Sequence, residues 1–183
     1  MKINKNYVYL HRCKKNECER TKSPLFLYLK MLNTKVKDLL HEALEKRTDL
    51  FLIDFTISSD QSINIIIDGD NGVKVDDCIF ISRAIEHNID REEYDFSLEV
   101  ASAGAAAPLT LPRQFKKNIG RTLQIKTQTE NIEAELINAS QESIDLGWKA
   151  REPKPIGKGK VTVKKSAKIA YKDIIEAKVM IKF

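Results

Sequence analysis

The stretch Phe51-Leu-Ile-Asp-Phe55-Thr-Ile57-Ser-Ser-Asp60-Gln-Ser-Ile63-Asn-Ile65-Ile-Ile67-Asp68-Gly69 decides the fold. Phe51, Ile53, Phe55 and Ile57 alternate with smaller or polar residues, and Ile63, Ile65 and Ile67 alternate again after the turn residues Ser58-Ser59-Asp60-Gln61. Apolar residues at period two on both sides of a short polar turn predict a β-hairpin with one buried face. That face needs a cover, and helical patterns flank the hairpin. Upstream, Asn33 or Thr34 can cap a helix in which Val36, Leu39, Leu40, Ala43 and Leu44 share one side. Downstream, Asp68-Gly69-Asp70-Asn71-Gly72 offers positive-φ positions, and Asp76 and Asp77 open a helix with Cys78, Ile81, Ile85 and Ile89 on its core side. A third strand over residues 95–101, burying Phe96, Leu98 and Val100, completes an αββαβ unit, two helices on one face of a three-stranded sheet.

Beyond it the pattern changes. Residues 102–112 form a connector of small residues and proline, Arg113 to Asn118 could make one helical turn before Gly120, and everything after alternates. Strands over 121–126, 132–138, 143–148, 160–170 and 176–181 predict a small five-stranded barrel, with Ile174 and Ile175 plugging its end. The stretch 149–160, with Pro153, Pro155, Gly157, Gly159 and five basic residues, reads as an exposed flexible loop. Residues 1–32 show neither period and read as a disordered extension or a start assigned too far upstream. The class is α+β, with an αββαβ domain over 33–101, the connector over 102–112 and a β-barrel domain over 113–183.

With 183 residues, 42% of them hydrophobic, 31% charged, and only 7 Gly and 5 Pro, the composition excludes collagenous, low-complexity and disordered classes. A chain of this size buries about 70% of its unfolded surface and needs no staples. Cys13, Cys18 and Cys78 include no Cys-x-x-Cys pair, which argues against a disulfide framework or a structural zinc site and for a reducing compartment. The apolar run 25–29 is too short for a signal peptide, and no stretch approaches the ~20 apolar residues that span a bilayer. The expectation is a cytoplasmic protein with no membrane partner.

Charge is segregated along the chain. Residues 1–30 carry a net +6, residues 31–112 a net −9 and residues 113–183 a net +8. Fields of opposite sign favour encounter with two kinds of partner, each of the opposite charge, and nucleic acid suits the basic end. Arg113, Lys116, Lys117 and Arg121 cluster at the barrel entrance, and a further series from Lys149 to Lys168 follows the loop and fourth strand, a surface able to neutralise phosphates.

Catalytic and metal motifs are weaker. A calcium loop begun at Asp68 fails where Gly72, Val73 and Ile79 stand, and a hydrolytic metal site would require Asp68, Asp70 and Asp76 to converge on one ion. Gly69-Asp70-Asn71-Gly72 has the form of a phosphate-clamping G-x-x-G loop but follows a strand and carries an acid. His11, His41 and His87 stand in no recognisable catalytic setting, and neither a Walker A nor a G-x-G-x-x-G pattern occurs. No enzyme activity, metal or cofactor is expected.

The run from Asp68-Gly69 to Val75-Asp76-Asp77-Cys78, then Ser82-Arg83, the strand ending in Val100, Ser102-x-Gly104, Pro108-Leu109, Phe115 and Ile119-Gly120-Arg121 resembles the RimP ribosome maturation factors. The closing Tyr171-Lys172-Asp173-Ile174 and Ala177-Lys178-Val179 extend the resemblance over residues 34–183. It implies an Sm-like, SH3-type barrel after the αββαβ domain. It also implies a non-enzymatic factor for assembly of the small (30S) ribosomal subunit. Such a factor binds the immature particle and assists incorporation of the basic small-subunit ribosomal protein numbered twelve. The expected partner contacts are Asp76, Asp77, Arg83, Ser102, Gly104, Pro108 and Leu109, and the expected ribosome or ribosomal RNA contacts are Arg113, Lys116, Lys117 and Arg121. One departure is plain: where the family commonly has Ser-Pro-Gly, a bulky residue, an acid and Arg, this chain has Ser102-Ala103-Gly104-Ala105-Ala106-Ala107. The rival reading is a free-standing Sm-like RNA-binding regulator, which would assemble a ring through its edge strands, whereas a maturation factor of this build is expected to be a monomer.

Overall fold

The computed structural model describes residues 24–128, 130–153 and 160–181. Its first half contains α1 (Pro24–Lys46), β1 (Leu50–Ile57), β2 (Ser62–Gly69), α2 (Val75–Glu86) and β3 (Ser97–Ser102). The hairpin pairs β1 antiparallel to β2, and α2 is the crossover that lets β3 join β2 in parallel, giving the sheet order β1-β2-β3. Ile63, Ile65 and Ile67 of β2 pack with Val36 and Leu40 of α1 and Ile81 and Ile85 of α2 in one buried cluster. Cys78 is half-buried at its margin.

Two local details differ from the expected pattern. Helix α1 begins at Pro24, so residues 24–32 are helical and not an extension. Tyr28, Leu32, Val36 and Leu40 stand four apart and continue one stripe, with Leu32 fully buried and the Tyr28 ring 5.1 Å from that of Tyr94. Thr34 is therefore mid-helix, its hydroxyl donating to the Lys30 carbonyl (3.0 Å) and capping nothing. The rest of the expected extension, residues 1–23, lies outside the described residues. In β1 the register shifts between Leu52 and Asp54, a bulge that reverses the parity of the strand. Leu52, Phe55 and Ile57 face the helices, and Phe51 is turned to the opposite side of the sheet.

The second half contains α3 (Pro112–Lys117), β4 (Thr122–Thr127), β5 (Asn131–Ala139), β6 (Ser143–Pro153), β7 (Lys160–Ala170), a 3-10 turn (Tyr171–Asp173) and β8 (Ile174–Val179). These strands form an antiparallel sheet ordered β7-β6-β5-β4-β8. The expected barrel is not closed: among the described residues β7 pairs only with β6 and β8 only with β4. The sheet nevertheless curls about one core, because Ile169 of β7 and Ala177 and Val179 of β8 join Leu123, Ile125, Leu136, Ile144 and Leu146 in a single cluster. Phe115 of α3 enters that core edge-to-face with Tyr171 (5.1 Å). Of the two expected plugs, Ile174 packs on the core, but Ile175 is 60% exposed. Residues 149–153 and 160, expected in a loop, are paired strand, since Val161, Thr162 and Val163 favour extended pairing with the end of β6. The tip, 154–159, lies outside the described residues.

Candidate functional site

The two halves of the chain meet at the end of the first sheet, where β2 finishes, through side chains of α3. Because Ile63, Ile65 and Ile67 point at the helices, strand parity turns Asp68 to the other face, and the bulge places Phe51 directly opposite it there. Helix α3 packs on that face. Asp68 is buried. Its Oδ1 accepts from the Gly69 N–H (2.8 Å) and the Lys117 ammonium, and its Oδ2 accepts from Gln114 Nε2 (3.3 Å). Gln114, also buried, accepts at Oε1 from the N–H groups of Thr110 (2.8 Å) and Leu111 (3.1 Å), which ties the connector to the start of α3.

Asp70, two residues on, is gripped bidentately by Arg113, with Nε donating to Oδ1 at 2.6 Å and Nη2 to the other oxygen. Nη2 also donates to the Thr48 carbonyl (2.6 Å), and the guanidinium lies 4.6 Å from the centre of the Phe51 ring. The Arg113 guanidinium holds the Asp70 carboxyl below the usual carboxylate range. Arg47, just past α1, donates to both Asp49 oxygens (3.0 Å each) and to Asp77 Oδ1 (2.7 Å). Asp77 Oδ2 accepts from the Lys74 N–H (2.8 Å), satisfying a free donor at the start of α2. Its carboxyl is held low, first by that N–H and then by Arg47, and Arg47 likewise holds Asp49 low. The turn after β2 is tight: a Cβ at Gly69 would stand 2.7 Å from the Gly72 carbonyl oxygen, and Gly72 has φ +88.

The expected contact residues divide accordingly. Asp77, Arg113 and Lys117 are engaged within the chain. Asp76 and Arg83 line a groove of about 470 Å³ between α1 and α2, together with Leu39, Lys46, Ile79 and Phe80. Ser102 is exposed at the end of β3, and Gly104 and Pro108 are exposed in the connector, where the Gly104 carbonyl accepts from the Ala107 N–H (2.9 Å). Leu109 packs on the second core and donates its N–H to the Ala177 carbonyl of β8 (2.8 Å). Lys116 is exposed, as is Arg121, which donates to Asn118 Oδ1 (3.2 Å). The carboxylates weighed as metal ligands face different ways: Asp68 and Asp70 each toward a cation from α3, Asp76 into the groove. Arg47, Asp49 and Gln114 were not anticipated. The one signal for the junction was the parity of β2, which leaves Asp68 opposite the isoleucines.

The sequence model described as the RimP N-terminal domain matches residues 39–106. The ribosome maturation factor RimP of Christiangramia forsetii is 58% identical over 153 residues, 84% of this chain and the whole of that protein. The chain belongs to the RimP family. The RimP of Flavobacterium psychrophilum is 58% identical over 149 residues, covering 81% of this chain and 97% of its own length. That of Cytophaga hutchinsonii is 32% identical over 118 residues, 60% of this chain and 71% of its own. Membership assigns the chain a role in ribosome maturation. The match to the N-terminal domain takes in Asp68 and Asp70 but ends before Arg113 and Lys117, so the junction is built from both sides of that boundary. Among the described residues no helix is long and apolar enough to cross a membrane.

Proposed function

We propose that this RimP-family protein serves maturation of the small (30S) subunit in the cytoplasm. In this reading it binds the immature particle and assists incorporation of the basic ribosomal protein numbered twelve, by binding and without catalysis. The supporting observation is that charge separation survives internal pairing. The first domain still exposes Asp38, Glu42, Asp54, Asp76, Glu92 and Glu99, a field that attracts a basic protein. Lys116 and Arg121 stay exposed on the other side of the junction for ribosomal RNA. The groove holding Asp76 and Arg83, with Ser102, Gly104 and Pro108 at the connector, supplies the protein-binding side. The curled five-stranded sheet fits an Sm-like, SH3-type module left open between β7 and β8.

Co-sedimentation with immature small subunits, mature small subunits and naked ribosomal RNA, at low and moderate salt, tests this reading. Selective retention on immature particles at moderate salt is expected, because purely phosphate-driven binding weakens steeply with salt. Equal, salt-labile binding to all three would replace it with the Sm-like RNA-binding regulator. The open edges of β7 and β8 are the feature that would let such a regulator assemble a ring, and a monomer on sizing counts against it. Charge reversal at Asp38, Glu42 and Asp76 that left affinity for the basic ribosomal protein unchanged would remove the protein-binding role of the acidic field.

A further inference from the structure

The β6–β7 ribbon has a feature that the junction does not use. Strand β5 pairs with β6 only over residues 144–147, whereas β6 and β7 pair from Ser143 opposite Ala170 to Pro153 opposite Lys160. Among the described residues, past Gly147 the two strands pair only with each other, so residues 148–153 and 160–165 form a two-stranded arm of about 20 Å at the rise of a β-strand. An isolated ribbon of this kind is marginal in water.

Its charge is one-sided. Register places Lys149 opposite Lys164, Arg151 opposite Thr162, Gly147 opposite Ser166 and Asp145 opposite Lys168, all on one face. Like charges directly across a ladder destabilise it, yet Lys149 and Lys164 are so paired. Residues 149–164 carry six basic side chains and one acidic. Among the described residues, Lys149, Arg151, Lys164 and Lys168 have no carboxylate within ion-pair distance. Elsewhere on the same face of the sheet charge is balanced: Lys126 lies opposite Glu176, Lys178 contacts Glu176 at 2.7 Å, and Glu133 and Glu135 add further acids. The excess is confined to the arm.

We propose that the arm is an RNA-binding element that grips the phosphate backbone of folded RNA through Lys149, Arg151 and Lys164. This rests on the ribosome-maturation reading and deepens it by moving the principal RNA contact away from α3, whose Arg113 and Lys117 are spent on Asp70 and Asp68. An acidic protein is the poorer fit, because protein interfaces centre on apolar or aromatic anchors and this face has none between Lys149, Arg151, Thr162, Lys164 and Ser166. Stacking of unpaired bases is not offered either, since Trp148 belongs to the opposite face and packs on the core. What remains is a row of cations matched to a charged backbone, the mode by which RNA helices are recognised through shape and phosphate.

The test compares the full chain with a Lys149→Gln/Arg151→Gln/Lys164→Gln variant and a Lys126→Gln/Lys178→Gln control, by binding to small-subunit ribosomal RNA across a salt series. Each lost phosphate contact lowers the slope of log affinity against log salt by about 0.7–0.9, so the arm variant should lose about two to three. The control should keep its slope, and both variants should keep the parent's circular dichroism and affinity for the basic ribosomal protein. An unchanged slope in the arm variant, or an equal loss in the control, overturns the proposal. Unchanged RNA binding with lost retention on immature particles would assign the arm to an acidic protein surface and overturn it too. If the parent itself shows no preference for immature particles, the maturation reading fails while the slopes on naked RNA still judge the arm.

Discussion

Replacing Lys117 by Met tests whether the buried pair with Asp68 holds the two cores together. The side chains of Asp68 and Lys117 are 8% and 22% exposed. After the substitution, the Asp68 carboxylate keeps only the Gly69 N–H and the Gln114 amide, both neutral donors. Stranding one charge of a buried pair costs ~3–5 kcal/mol, and partial exposure of Lys117 puts this pair at the lower end, about 3 kcal/mol. The neighbouring Arg113–Asp70 pair provides an internal contrast. Its side chains are 38% and 46% exposed, so the pair is worth at most ~1 kcal/mol, with about 0.5–1 kcal/mol more from the Phe51 ring. Double-mutant cycles by urea unfolding, a denaturant that does not screen charge, should give a coupling of about 2–3 kcal/mol for Asp68→Asn with Lys117→Met and under ~1 kcal/mol for Asp70→Asn with Arg113→Met. Only the second should vanish in ~0.5 M salt, where exposed pairs are screened and buried ones are not. Opening of the junction lets water reach Asp68, so hydrogen exchange at the Thr110 and Leu111 amides, held by Gln114, should rise in the Lys117 variant before either core unfolds. A coupling below ~0.5 kcal/mol for Asp68 and Lys117, or equal couplings for both pairs, would refute the assignment of the junction to the buried pair.

Asp49, Asp70 and Asp77 all have carboxyls held below their ordinary values in the folded state, so each contributes stability that is present above the ordinary range near pH 4 and lost as pH falls through the depressed values. The urea midpoint should therefore hold from pH 7 to about 5 and fall below about 4; Arg47→Met, which releases Asp49 and Asp77, should start lower and lose less between pH 5 and 3, and parallel curves would contradict this. Gly69→Ala drives a methyl to 2.7 Å from the Gly72 carbonyl oxygen and should cost ~1–3 kcal/mol in thermal unfolding, because backbone and not a flexible side chain must move. Gly72→Ala meets no atom but must hold φ +88, a cost of about 1–2 kcal/mol, so a Gly69→Ala protein as stable as the parent would show that the turn is looser than its geometry.

Most elements were legible because their apolar residues keep a single period. The isoleucines of β2 alternate without a break, and Cys78, Ile81, Ile85 and Ile89 mark one side of α2 and the loop after it. Where a residue set fits two periods, the reading slipped. Leu50-Phe51-Leu52-Ile53 is apolar throughout, so either parity of β1 fits it, and only the bulge places Phe51 on the α3 face. The first turns of α1 were hidden because Lys30 and Asn33 interrupt a stripe that Tyr28 and Leu32 continue. One side of the arm, residues 149–153, reads as part of a loop because proline and glycine mark the tip, while the pairing that makes it a ribbon joins Lys149 to a residue fifteen positions away.

The candidate site was less legible, for a reason rooted in electrostatics rather than in pattern. Asp70 and Arg113 are 43 residues apart and Asp68 and Lys117 are 49 apart, so no local spacing links them. Counting charge by segment does reveal the opposite fields, but it cannot say whether each field meets an outside partner or the other half of the chain. A short connector keeps the two halves at high effective concentration, so the acids and bases flanking it pair with each other before any partner arrives. Asp68, Asp70, Arg113 and Lys117 are therefore engaged in the junction, while Lys116 and Arg121 beside them stay exposed. In the proposed reading the charges open to ribosomal partners are these two together with Asp76 on the helix face and Lys149, Arg151 and Lys164 on the ribbon. That division predicts where mutations separate the two roles: neutralising Lys117 should loosen the junction, and neutralising Lys149 and Lys164 should weaken RNA binding without loosening it.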